Sequence, residues 1–384
     1  MSDFQPTIGI VIPTHNRRVN LQLCLSVLHM QSKQDFVVVV ADDGSTDDTR
    51  WFIAETIERN EFWQERLIYV NGGPQRGVRT GRARNIGTAA LPPSVKLLIQ
   101  LDTDILLVHT ALDSFWKWYE RHPDVVMLPQ IDWMPRMDEP TIRNILLTEG
   151  FGGLARRVPD EIAQRVDGTY VGRELRIAHG LVYTSDPQPE PLRAEWYLPG
   201  AMGLPLDLYW SLGGSDEMMR GYGFQDSDFG TRLVHAGAQC LALSEIWAGH
   251  VWHPSGSDGH LITAQRNVDY LIRKYQRVGL PAELINFYHL RCDWAHWWHY
   301  NRERGTTLVR IGEGETAELW AINQARTHRL QVPDMAWVKA LGFSERDIMP
   351  ASADVLEGCT SVGVAYDPLG DGLDYLPPPG VSLQ

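Results

Sequence analysis

Asp102 and Asp104 stand one residue apart at the end of LLIQL, residues 97–101, an apolar run of strand length. Two carboxylates at that spacing can hold a divalent cation together with phosphates bound to it. Hard cations take oxygen ligands, and Mg2+ or Mn2+ commonly bridges protein carboxylates and a diphosphate. An Asp-x-Asp triplet is also common by chance, and its plain alternative is a solvated acid pair. A second pair, Asp42–Asp43, closes another apolar run, FVVVVA at 36–41, one crossover earlier. Two acid pairs at the ends of two buried runs favour a shared crevice over two unrelated loops.

The elements that would position these acids follow from the flanking patterns. TIGIVI opens a strand that Pro13 closes, and RRVNLQLCLSVLHMQ has the length and composition of a helix. After the strand at 36–41, Ser45 or Thr46 could cap a helix running to about Arg59. RLIYV then gives a third strand, RTGRARNIGTAAL a helix and VKLLIQL a fourth strand. Strand and helix in alternation predict an α/β fold with a parallel sheet. Uninterrupted apolar strands fit burial on both faces, and ligands of such sheets bind beyond the carboxyl ends of the strands. Residues 133–195, with Pro135, Pro140, Pro159, Pro187, Pro189 and Pro191, have the character of an insertion or lid. EWYLPGAMGLPLDLYWSLGG predicts a strand and a short helix, GYGFQDSDFGTRLVHAG a loop entering a helix, and AQCLALSEIWAGHVWHP a strand that leads to histidines. Two helices are expected from about 262, and an irregular Gly- and Pro-rich tail from about 345. CDWAHWWHY, residues 292–300, has tryptophans at helical spacing and reads as a core or dimer-contact helix.

At 384 residues with 43% hydrophobic content, the chain can bury a sizeable core in one large or two modest domains. The longest apolar stretches are strand-sized and the N-terminus has no signal-like segment, so the expectation is a cytoplasmic protein without an integral membrane span. A peripheral membrane contact and a homo-oligomer stay open. Four scattered cysteines predict neither a disulfide framework nor a zinc knuckle. A formal charge of −13 argues against nucleic acid as a partner.

VIPTHNR, VVVADDGSTDDT, GRARNIGTAA and IQLDTD, in this order, resemble the nucleotide-binding half of a family-2 glycosyltransferase with the GT-A fold. LPGAMGLPLDLYWSLGGSDEMMRGYGFQDSDFGTRLVHAG resembles that family's acceptor side, and AGHVWH the metal-histidine segment of related GT-A enzymes. The resemblance implies a Rossmann-like, mostly parallel sheet flanked by helices. It covers roughly residues 7–255 apart from the insertion or lid at 133–195, and the expected layout is a GT-A domain at 1–260 with a nucleotide-binding half at 1–105 and an acceptor half at 196–260. A helical C-terminal region, 261–384, would follow with its irregular tail.

The same resemblance assigns roles. Pro13, Thr14 and His15 would border the nucleoside. Asp43 would accept a hydrogen bond from the base, which suits the imide N–H of uracil and favours a UDP-sugar donor, and Asp42 would support that loop. For these two acids the plain alternative is helix N-terminal stabilisation. Arg84 and Asn85 would sit near the diphosphate and donor sugar, with Arg82 as the alternative to Arg84 and a solvated helix face as the bland reading. Asp102 would contact ribose or sugar, and Asp104 would bind the cation, Mn2+ or Mg2+. His250 is the further ligand and His253 its competitor; a neutral imidazole suits Mn2+ better than Mg2+. Asp226 would be the general base that takes the acceptor's proton, with Asp228 as alternate and an N-cap as the plain reading. An acid there favours inversion. Gln225 departs from the family's Glu-Asp pair. Asp216 and Glu217 would bind the hydroxyls of an acceptor such as a glycan, with a solvated turn as the plain alternative. Gly200, Gly213 and Gly214 would serve tight turns and close approach.

Two other functions compete. A nucleotidyltransferase that makes an activated sugar would need a Gly-rich phosphate loop after the first strand, and VIPTHNRRVN has no glycine there. A catalytically silent carbohydrate-binding GT-A protein would have no use for Asp102, Asp104, Asp226 and His250 together.

Overall fold

The computed structural model describes residues 4–73, 79–166, 169–178, 181–183, 191, 192, 197, 200–221, 223–253, 266, 267, 270, 271, 274, 275, 305–323, 326, 328–332, 334–340, 343–357 and 359–364. Every apolar run singled out above is a strand. β1 (Ile8–Thr14), α1 (Arg18–His29), β2 (Phe36–Asp42), α2 (Thr49–Arg59), α3 (Glu61–Gln64), β3 (Leu67–Asn71), α4 (Thr80–Ala89) and β4 (Leu97–Leu101) alternate as the pattern requires. β5 (Ile105–Leu107), α5 (Ala111–Arg121), β6 (Val125–Trp133), α6 (Glu139–Thr148) and α7 (Gly150–Ala155) follow. The next elements are β7 (Gln164–Val166), β8 (Thr169–Val171), α8 (Leu175–Ala178), β9 (Val182–Tyr183), β10 (Ala201–Pro205), α9 (Leu206–Ser211), α10 (Gln225–His235) and β11 (Gln239–His250).

Nine of these strands form one sheet in the order β3-β2-β1-β4-β10-β6-β11-β5, with β9 on β11. β3, β2, β1 and β4 are parallel, while β10 runs antiparallel between β4 and β6. Side chains alternate across a strand, so each run feeds two cores. Ile8, Ile10, Ile12, Val38, Val40 and Ile99 join α1 and α5 on one face. Val11, Val39 and Leu98 join Tyr209 of α9 and Phe229 and Leu233 of α10 on the other. A glycine sets how close α4 comes: a Cβ on Gly87 would meet Val11 Cγ1 at 2.6 Å and Ala41 Cβ at 3.0 Å. That contact seats α4 on β1 and β2 and carries its N-terminal half to the strand ends.

Two expectations are corrected. Neither Ser45 nor Thr46 caps α2, which begins at Thr49, with Asp47 accepting from the Thr49 backbone and hydroxyl. Ser45 Oγ instead accepts from Asn16 N, and Asn16 Oδ1 accepts from Thr46 N at 2.7 Å, so the loops after β1 and β2 are knitted together. The C-terminal region is not simply helical. β12 (Thr306–Ile311), β13 (Glu318–Asn323), β14 (His328–Val332), β15 (Ile348–Ala351) and β16 (Thr360–Val364) form a five-stranded sheet in the order β15-β12-β13-β14-β16, with α11 (Met335–Ala340) after β14. Leu308, Leu319, Ala321, Ile322 and Leu330 are buried in it. Turn residues at Gly312 and Gly314 with positive φ separate its first two strands, and alternation there is broken enough to hide the period of two. Part of the stretch after 345 is likewise ordered rather than irregular. CDWAHWWHY lies outside the described residues.

The chain divides into two units, 1–220 with 225–255, and 221–224 with 256–384. Within the first, α6 and α7 of the expected insertion bury Ile142, Ile145, Phe151 and Leu154 with Leu23 and Val27 of α1, so this part is core.

Candidate active site

The carboxyl ends of β2 and β4 carry the acids, and the end of β1 lies between them. Thr14 pairs with Asp42 in the β1–β2 ladder, and Pro13 with Ala41. Asp42 is buried; its Oδ1 accepts from Ser45 N and its Oδ2 from the Tyr69 hydroxyl, both at 2.8 Å. Its role is to hold the loop. Asp43 is also buried, with Arg79 N donating to Oδ2 at 2.7 Å and Arg79 Nη2 2.7 Å from Oδ1. Thr14 Oγ1 is buried without a hydrogen-bond partner among the described residues, and His15 Nε2 lies 3.2 Å from Asn16 Nδ2.

Arg84 is the centre of the arrangement. It is only 5% exposed, which removes the solvated-face reading. Nη1 donates to Asp226 Oδ1 at 2.6 Å and Nη2 to Asp102 Oδ1 at 3.1 Å. One guanidinium thus ties the end of β4 to the first turn of α10, whose Asp226 is 142 residues from Arg84 in sequence. Burial works against its charge, and the two carboxylates outweigh that, so Arg84 stays cationic. Asp102 is pushed above the usual carboxylate range by burial and by Asp104 and Asp226, against the pull of Arg84. Arg82 turns elsewhere, donating to Gly72 O at 2.6 Å. Asp228, the alternate base, is fully buried and held twice by Arg232 at 2.9 Å, while the Asp226 side chain keeps 37% of its surface exposed.

Asp104 faces histidines. β11 runs antiparallel to β5 with His250 opposite Ile105, and Val251 N donates to Asp104 O at 2.8 Å. His250 Nε2 lies 3.9 Å from Asp104 Oδ1 and His253 Nε2 3.1 Å from Oδ2. One ligand atom from each of the three lies within 4.8 Å of the others. Burial pushes the Asp104 carboxyl up, but His250, His253 and Arg17 outweigh it and hold it at about 2. Burial also pushes the His250 imidazole below its ordinary value. An ionised carboxylate and a neutral imidazole are the donor forms a divalent cation needs, so this trio fits one. Trp133 stacks on the His250 ring at 5.9 Å.

Asn85 spends its amide on the loop after α9. Nδ2 donates to Ser215 O and Glu217 Oε1, both at 2.9 Å, and Oδ1 accepts from the Tyr209 hydroxyl at 2.6 Å and Ser215 N at 2.8 Å. Gly214 has φ +71°, and a Cβ there would stand 2.5 Å from Asn85 Oδ1. Asp216 Oδ1 accepts from Met218 N in its own turn, and Glu217 is exposed.

The model of glycosyl transferase family 2 matches residues 9–174. The matched stretch, somewhat under half of the chain, includes Asp42, Asp43, Arg84, Asn85, Asp102 and Asp104, whereas Asp226 and His250 lie beyond it. Validoxylamine A glucosyltransferase from Streptomyces hygroscopicus subsp. jinggangensis (strain 5008) is 29% identical over 274 residues, which cover 70% of this chain and 61% of that one. The chain thus spans about three fifths of that relative's length. Among solved structures, GalNAc-T7 with UDP, GalNAc and Mn2+ superposes with a TM-score of 0.51 at 16% identity, covering 85% of this chain and 68% of that one. S. aureus TarS 1–349 in complex with UDP-GlcNAc gives 0.50 at 16% identity, covering 74% and 73%. The fold around the matched stretch is GT-A.

The structure brings Arg84, Asp102 and Asp226 into direct contact, and Asp104, His250 and His253 into a second group that shares the β4–β5 turn. Both histidines stand at Asp104, so the two candidates are not exclusive. Asn85, Asp216 and Glu217 gather on the loop after α9. Missed from sequence were Arg79, Tyr209, Ser215 and a buried acid, Asp132. Arg79 borders the quoted GRARN motif and could have been found there; Tyr209 looks like one more core aromatic until its hydroxyl is traced. No helix among the described residues is long and apolar enough to cross a membrane.

Proposed function

We propose that this chain is an inverting glycosyltransferase that moves a sugar from a nucleotide-sugar, a UDP-sugar, to a hydroxyl of an acceptor such as a glycan, with Asp226 as general base. What supports this most is the Arg84 bridge: it puts the one half-exposed acid of α10 beside Asp102 at the β4 end, across from the cation-binding trio. The relative named a glucosyltransferase supports a hexosyl donor. In this reading residues 1–105 hold the nucleotide and 196–260 the acceptor, within a GT-A domain of 1–260. Pro13, Thr14, His15 and Asp43 border the base, and Asp102 meets the ribose or sugar.

Asp104, His250 and His253 would hold the cation. Two imidazoles and one carboxylate favour Mn2+ over Mg2+. When bound, it would offset the charge that builds on the departing diphosphate. Arg84 holds Asp226 Oδ1, which leaves Oδ2 for the acceptor. Oδ2 takes the acceptor's hydroxyl proton as that oxygen bonds to the anomeric carbon and the bond to the diphosphate breaks. Glu217 and Asp216 accept from other acceptor hydroxyls.

The test is a donor screen that reads UDP or GDP release with and without chelator, repeated on Asp226→Asn. Transfer should need the cation, and the variant should bind UDP like the parent while turning over at least about 100-fold more slowly. Full turnover in Asp226→Asn would remove the assigned base. Pyrophosphate release in place of UDP would instead favour nucleotidyl transfer.

A further inference from the structure

β6 ends in an acid that the reaction above does not use. Asp132 is 0% exposed, yet it collects donors from four residues. Oδ2 accepts from Trp247 Nε1 and Arg173 Nη1, both at 2.8 Å, and from Gln130 Nε2 at 3.1 Å, while Oδ1 accepts from Glu174 N at 3.1 Å. Taking a carboxylate fully out of water costs several kcal/mol, and a buried ion pair seldom repays that in stability. The best-attested return for such a group is fixing register, and β11 has a register to fix.

The β6–β11 ladder pairs Pro129 with Leu243 and then Gln130 with Trp247. β6 advances by one residue while β11 advances by four, so the ladder register skips Ser244, Glu245 and Ile246. After such an interruption the earlier hydrogen bonds no longer dictate which β11 residue faces which β6 residue. A slip of one would turn every later side chain to the opposite face, and His250 is among them. The observed pairing sets Gly249 beside Asp132 and His250 beside Trp133. Gly249 is what lets the indole of Trp247 lie across to Asp132, because a Cβ there would stand 3.2 Å from Trp247 Cη2 and 2.9 Å from Met134 Sδ. The Asp132–Trp247 bond is therefore a diagonal pin placed directly before the histidine.

The other arm of the pin comes from residues 172–176. The β6–β10 ladder pairs Met127 with Gly203 and goes no further along β6. Beyond it, alternate residues of β6 are served by this excursion. Pro129 O accepts from Arg176 Nη2 at 3.1 Å, Ile131 N donates to Glu174 Oε2 at 2.9 Å, and Trp133 exchanges two backbone hydrogen bonds with Gly172. Arg176 and Glu174 pair with each other, both fully buried. Side chains here do the work of a missing strand.

We infer that Asp132 is a positioning residue for metal binding: through Trp247 on one side and the 172–176 excursion on the other, it fixes the register in which β11 delivers His250 to Asp104. This rests on the cation reading of Asp104, His250 and His253. It gives part of the expected insertion a purpose other than covering the crevice.

The experiment is Mn2+ titration of the whole chain, followed by electron paramagnetic resonance of the free ion, on the parent, His250→Ala, Trp247→Phe and Asp132→Asn, with melting temperatures alongside. Trp247→Phe keeps an aromatic ring near Gly249 and removes the N–H together with the second ring. Outer groups of this kind typically change metal affinity 10–100-fold, so Trp247→Phe and Asp132→Asn should each bind Mn2+ at least about tenfold more weakly, with the folded state retained in Trp247→Phe. Lower melting temperatures with parental Mn2+ affinity would mean a merely structural acid and would overturn the inference. If Asp132→Asn does not fold, Trp247→Phe decides alone. Failure of the underlying cation reading is separate: it would appear as no saturable Mn2+ binding in the parent, or as unchanged binding in His250→Ala, and the inference would fall with it.

Discussion

Replacing Arg84 by methionine keeps most of the buried volume and removes the guanidinium that joins α10 to β4. Two charge-assisted hydrogen bonds, at 2.6 and 3.1 Å, are lost. Such bonds contribute about 1.5–3 kcal/mol each, but Asp102 and Asp226 keep 34% and 37% of their side-chain surface in water. The lower end applies, about 3 kcal/mol in total. At about 2–4 °C per kcal/mol for a domain of this size, the melting temperature should fall by roughly 6–12 °C. Turnover should fall further than stability implies, because Asp226 loses the contact that aims it, and misplacement by about 1 Å costs on the order of 100-fold. Arg84→Lys separates the two effects. An ammonium can meet one carboxylate but lacks the fork that holds both, so it should recover much of the melting temperature and little of kcat. The assay is nucleotide release under saturating donor, with thermal unfolding of the same samples. An Arg84→Met protein that melts within about 2 °C of the parent and turns over within about twofold would refute the argument, since neither anchoring nor aiming would then depend on the bridge.

Asp228→Asn should behave in the opposite way. It weakens a buried pair with Arg232 and should cost about 2–4 kcal/mol of stability, while kcat per folded molecule stays near the parent's; thermal melts with turnover corrected for the folded fraction check this. Gly214→Ala forces an L residue to φ +71° and drives a Cβ to 2.5 Å from Asn85 Oδ1. It should raise the acceptor KM well above the donor KM change and cost about 1–3 kcal/mol, read from initial rates against each substrate.

The nucleotide-side sheet was legible because its strands are buried on both faces. Ile8, Val11, Val38, Val39, Leu98 and Ile99 had no polar alternates to confuse the pattern, and the helices between them came with ordinary lengths. The C-terminal sheet was not legible for the converse reason. β13 and β14 put Glu318, Arg329 and Gln331 among their apolar residues, and neighbouring tryptophans drew the reading toward a helical region. Propensity also misled at Ser45 and Thr46, whose side chain and backbone were engaged by Asn16 instead of a helix end. That contact joins two loops 29 residues apart, and no local window contains it.

The candidate site divides along the same line. Three strands end in an acid after an apolar run: β2 in Asp42, β4 just before Asp102, β6 at Asp132. In sequence, FVVVVAD, LLIQLD and VVMLPQID are the same signal. What separates them is the chain that arrives from elsewhere. Asp42 meets Ser45 N and the Tyr69 hydroxyl and becomes a loop anchor. Asp102 meets Arg84 from α4 and keeps part of its side-chain surface exposed, which leaves it able to touch a ligand. Asp132 meets Trp247 from β11 and Arg173 and Glu174 from the excursion, and loses all contact with water. A strand end therefore predicts that an acid will be held in place, because the backbone before it is fixed by burial. Whether the acid faces a ligand or its own protein depends on which donors the rest of the fold brings, and those donors lie 18, 41 and 115 residues away. For that reason spacing alone could single out Asp102 and Asp104 as candidates, while the pin behind them required the fold.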